Sequence, residues 1–61
     1  MSFTVEEKLA CATRELKMRR RVYARLASER KMSPEQCAHE IACMEAIVAD
    51  YEELVKKERL V

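Results

Sequence analysis

A chain of 61 residues with no glycine and one proline is one domain at most, and its richness in Ala, Glu, Lys, Arg, Leu and Met marks it as all-helical. Its residues are 49% apolar and 38% charged, yet no apolar run has membrane-spanning length and no signal-peptide core is present. Three cysteines without a C-x-x-C pair exclude a paired disulfide framework, so the expectation is a cytoplasmic protein with reduced thiols.

The first helix is expected over about residues 5–30, after a frayed Met1–Phe3. Thr4 and Glu7 form a Thr-x-x-Glu capping box, and Glu6 and Glu7 suit the positive end of the helix dipole. Val5, Leu9, Ala12, Leu16, Arg19, Tyr23 and Leu26 then recur at spacings of four and three, a heptad-like seam with Arg19 as its one charged member. A second stripe, Cys11, Met18 and Val22, lies about 100° round the helix. Arg14, Lys17, Arg21 and Arg25 occupy the remaining face. That pattern describes a solvated face first, and a contact for an acidic or nucleic-acid partner second.

The corner at Glu29-Arg30-Lys31-Met32-Ser33-Pro34-Glu35-Gln36 organises the chain. Ser33 is the expected N-cap of a second helix, Pro34 its N1 residue, and Gln36 the N3 member of a Ser-x-x-Gln capping box. Met32 and Cys37 are placed as a hydrophobic staple. A helix arriving from upstream must end before Pro34. The glycine that usually ends such a helix is missing, so a residue near Arg30 or Lys31 is expected to turn left-handed without it, or the helix to unwind gradually.

The second helix is expected over about residues 34–58. Cys37, Ile41, Met44, Val48, Tyr51 and Val55 repeat the four-three rhythm. Folding at the corner sets Leu26 against Cys37, Tyr23 against Ile41, Arg19 against Met44, Leu16 against Val48, Ala12 against Tyr51 and Leu9 against Val55. Arg19 is expected to pass Met44 towards a carboxylate such as Glu45. A second stripe, Cys43, Ile47, Leu54 and Val61, falls on the same side of the hairpin as Cys11, Met18 and Val22. A two-helix hairpin cannot bury that face alone, which marks it as an interface.

The net charge of +1 hides an asymmetry. Residues 5–31 hold nine Lys/Arg and four Asp/Glu, and residues 34–61 hold three and seven. Two such helices attract when laid side by side.

Reactive chemistry is not expected. His39 is the only histidine; it shares a helix face with Cys43 but points away from Cys37, so three metal ligands do not converge. The cysteines serve as small hydrophobes, and Cys11 or Cys43 could cross-link two chains under oxidation. No nucleophile has a base beside it, no glycine-rich phosphate loop exists, and no cofactor, catalytic or metal site is expected. Lys17, Arg20, Arg21 and Arg25 are candidate contacts for an acidic partner. Three successive arginines, Arg19-Arg20-Arg21, spread over about 200° of the helix and cannot all face one DNA groove.

The strings Glu15-Leu16-x-Met18-Arg19-x-x-Val22-Tyr23, Lys31-Met32-Ser33-x-Glu35 and Glu40-Ile41-x-x-Met44-x-x-Ile47-x-x-Asp50-Tyr51 resemble short helical proteins of Mu-like bacteriophages and prophages of Pseudomonas and relatives, over most of the chain. Within that group the pattern is similar to the phage quorum-sensing anti-activator, a small homodimeric helical hairpin. The resemblance implies a cytoplasmic binder of host proteins, among them a LuxR-type transcription regulator and a pilus-assembly ATPase. At the corner the chain departs from the pattern, with Arg30 where a glycine is expected before Lys-Met, and partner choice resides in surface residues. The expectation is therefore a non-enzymatic helical-hairpin domain over residues 1–61. It dimerises into a four-helix assembly through Cys11, Met18, Val22, Cys43, Ile47 and Leu54, and binds a host protein. The rival expectations are a nucleic-acid binder using the basic first helix and a purely structural assembly module.

Overall fold

Two helices, α1 (Val5–Ser28) and α2 (Pro34–Arg59), pack side by side as an antiparallel hairpin. The computed structural model describes residues 2–60; Met1 and Val61, to which fraying and the end of a stripe were assigned, lie outside them.

Each end of α1 is built by its own backbone chemistry. Thr4 is extended, its hydroxyl accepts from the Glu7 N–H at 3.0 Å, and its own N–H donates to Glu7 Oε1 at 3.0 Å. Both halves of the capping box are present, and they satisfy donors the first turn would otherwise leave open. At the other end α1 stops at Ser28, two residues earlier than expected, and Arg30 adopts φ 60°. The Arg30 N–H donates to the Ala27 carbonyl at 3.1 Å and the Lys31 N–H to the Leu26 carbonyl at 2.9 Å. These two bonds are the Schellman pair, made here with arginine at the position that glycine normally takes. A left-handed non-glycine residue costs about 1–2 kcal/mol.

α2 opens at Ser33, whose hydroxyl accepts from the Gln36 N–H at 3.1 Å, with Pro34 at N1. The capping box expected here is half made: among the described residues no bond returns from the Gln36 side chain to Ser33. Proline already shapes the first turn, so the single hydroxyl cap suffices. The helix runs one residue past expectation, to Arg59.

The seam is the one read from the spacing. Ala12, Leu16, Met44 and Val48 form the buried cluster, with Leu9 and Ile41 packed against it and Cys37 and Val55 buried beyond its two ends. Burying a side chain such as Leu16 stabilises by about 1.5–3 kcal/mol. The Cys37 thiol donates to the Tyr23 carbonyl at 3.5 Å, tying the two helices next to the corner.

Arg19 corrects one expectation. Its Nε donates to Glu15 Oε1 at 2.9 Å and its Nη1 to the Glu40 carbonyl at 3.0 Å, with the Glu40 carboxylate 3.9 Å away. Glu45 pairs instead with Arg20, Nη2 to Oε2 at 2.8 Å. The two arginines leave the seam on opposite sides, so each takes the carboxylate on its own side. The Glu15 carboxylate keeps the Arg19 guanidinium firmly charged, above its ordinary range, against the opposing effect of partial burial.

Candidate interaction surface

The hairpin is one helix layer deep. Its extents are 47 × 21 × 16 Å, and its radius of gyration is 14.2 Å, against roughly 10.5 Å for a compact chain of this length. Its accessible surface of 4990 Å² exceeds the roughly 4,100 Å² expected of a compact 7.1 kDa monomer by about 900 Å². A typical stable interface removes about 800 Å² per partner. No described side chain is fully enclosed; even the core residues keep 6–9% of their surface.

Among the described residues, three of the five large apolar side chains left exposed lie on one broad face, the other two being Phe3 and Leu60. Met18 is 45% exposed, Ile47 38% and Leu54 43%. Cys11 and Cys43 are exposed free thiols, and Val22 is half-buried on the same face. The six residues singled out by the second stripes therefore lie together, and the hairpin covers none of them fully. They lie there because α1 and α2 each carry a second apolar stripe rotated the same way from the seam. In an antiparallel pair, equal rotations bring both stripes to one side.

An open groove of about 700 Å³ runs along the end of this face remote from the corner, between Cys11 and Glu15 of α1 and Met44 and Tyr51 of α2. Phe3, 61% exposed, lines it together with Lys8. Phe3 was set aside in the sequence as part of a frayed end. Its signal was its position as the apolar residue just ahead of the Thr4 cap, where such a side chain folds back on the fourth residue of the helix. Here that residue is Lys8.

The basic candidates divide. Arg20 is engaged with Glu45 inside the hairpin. Lys17, Arg21 and Arg25 are exposed and form no ion pair among the described residues. They follow the outer side of α1, away from α2, while α2 carries the surplus of acid.

The reactive side chains do not assemble. Cys37 is buried in the seam with its thiol turned to Tyr23, whereas His39 and Cys43 are exposed. Among the described residues no group of three or more His, Cys, Asp or Glu is placed to hold a metal ion, and no helix is long and apolar enough to cross a membrane. No family model, curated protein or solved structure matches the chain. The surface therefore has to be read from its own chemistry.

Proposed function

We propose that this chain is a non-enzymatic protein-binding module that acts as a homodimer. The observation that carries the reading is the single apolar face of Met18, Ile47 and Leu54, left in water by a fold only one layer deep. An apolar face of this extent marks a protein contact, and a second copy of the same face covers it with closed two-fold symmetry. The hairpin also needs the help. Ordering costs about 1–2 kcal/mol per residue, and a 61-residue chain with one short seam has little core to offset it.

Dimerisation leaves Lys17 and Arg21 on the outside with Arg25 at the rim, and these form the second contact, for an acidic surface of a host protein. The likeness to phage hairpin proteins nominates a LuxR-type transcription regulator or a pilus-assembly ATPase. Acidic α2 works against nucleic acid, since it repels phosphates wherever they come close to it.

The test is a titration of the intact protein against a purified LuxR-type regulator, a pilus-assembly ATPase, and labelled DNA and RNA at low and moderate salt. The expected result is saturable binding to one of the proteins, weakened by Lys17→Glu or Arg21→Glu. Salt-sensitive binding to nucleic acid alone would overturn the reading.

A further inference from the structure

The charges flanking the apolar face carry information about how a second copy sits on it. The argument rests on the homodimer proposed above. α1 has seven Lys/Arg and three Asp/Glu, and α2 three and seven. Two-fold axes lying in the plane of the face give two limiting arrangements. An axis across the helices lays basic α1 on its own copy and acidic α2 on its own copy. An axis along the helices lays α1 on the partner's α2, antiparallel and at the same level, so that basic and acidic helices alternate round the four-helix square.

We propose the second arrangement, on the residues at each level. The Arg20–Glu45 pair sets the levels inside the hairpin to within about 7 Å, the spread between it and the Cys37–Tyr23 contact at about 1.5 Å of rise per residue. An axis along the helices preserves them. Met18 then lies near the partner's Ile47, Val22 near the partner's Cys43, and Cys11 near the partner's Leu54, so apolar residues meet at these three levels. The groove beside Cys11 is open on this side and receives the partner's Leu54.

The rim agrees with the core. Glu7 and Arg14 lie on the outer shoulder of the α1 stripe, about 40–60° beyond it. Lys57 and Asp50 hold the equivalent shoulder of the α2 stripe. At matched levels Glu7 faces the partner's Lys57, and Arg14 faces the partner's Asp50. Two opposite-charge pairs, doubled by the symmetry, result from residues that are all exposed and form no ion pair within their own chain among the described residues. A crosswise axis centred near Met18 instead brings Arg14 to the level of the partner's Arg21, and like charges meet there. One term opposes closure in the proposed arrangement. The Arg19–Glu15–Glu40 cluster of each chain turns towards the axis with one carboxylate more than it has guanidinium. The apolar layers have to outweigh that repulsion.

The experiment is a charge-reversal cycle followed by sedimentation equilibrium at low salt, on the full chain, with helicity checked by circular dichroism. Arg14→Asp and Asp50→Arg each place like charges opposite one another at two symmetric sites, and each is expected to weaken the dimer by about tenfold. The double variant Arg14→Asp/Asp50→Arg is expected to recover most of the loss. A dimer whose single reversals add without recovery in the double variant overturns the lengthwise axis and leaves the homodimer standing. A chain that is monomeric before any substitution overturns the axis together with the reading on which it rests.

Discussion

Leu16 and Met18 stand two residues apart on one helix, yet Leu16 is 7% exposed and Met18 45%. The contrast extends along the whole hairpin. Each helix bears two apolar stripes in a four-three rhythm, and the chain covers only one of them. Apolar periodicity shows which residues will leave water. It does not show whether the cover comes from the same chain. Counting the helices shows that: two helices have one contact line, so one stripe per helix is left over.

The difference can be broken from either side. Leu16→Ala removes atoms from the closed seam and is expected to destabilise by about 2–5 kcal/mol. Met18→Ala at high dilution, where the proposed dimer would be dissociated, should stay within about 0.5 kcal/mol. Urea melts of the two variants check this, and equal losses would erase the distinction between the stripes. Ile47→Glu is the converse. It should leave the helices formed and weaken the dimer by on the order of a hundredfold or more, because two charges would be buried without partners. Its melting temperature should lose the concentration dependence expected of the proposed dimer.

The corner holds the seam in register, and its effects are smaller. Ser33→Ala should cost about 1 kcal/mol through the lost hydroxyl cap. Arg30→Gly should stabilise by up to about 1 kcal/mol, since φ 60° is free for glycine and strained for arginine. A lower melt for Arg30→Gly would mean that the arginine side chain contributes more than its backbone costs.

The smallest effect is at the start of α1. The Thr4 backbone N–H, and after it the Thr4 hydroxyl, hold the Glu7 carboxyl below its ordinary value of 4.5. A carboxyl whose folded value is depressed stabilises above its unfolded value, and that contribution disappears as pH falls through the folded one. The melting temperature should therefore drop on acidification below about pH 4.5, and the drop should be shallower in Glu7→Gln.

Most of the hairpin was legible because its signals are local or periodic. The Thr4 and Ser33 caps, the Pro34 start and the seam from Leu9 to Val55 all lie in patterns spanning a few turns. The missing glycine left two readings of the corner open, a left-handed residue near Arg30 or Lys31 or a gradual unwinding, and the Schellman bonds with Arg30 at φ 60° decide for the first. Arg19 was legible as a seam cation but not in its partners. The Glu40 carbonyl and the i, i+4 Glu15 win through the side on which Arg19 leaves the seam, a rotamer detail that spacing does not carry. Phe3 carries a local signal in its place just ahead of the Thr4 cap, but the groove it lines exists only once both helices are packed.

The central claim is that the apolar face of Met18, Ile47 and Leu54 closes on a copy of itself, and sedimentation equilibrium of the unmodified chain at micromolar concentration tests it most directly. The account predicts a species of twice 7.1 kDa that dissociates on dilution. A single species of 7.1 kDa across the whole concentration range would contradict it.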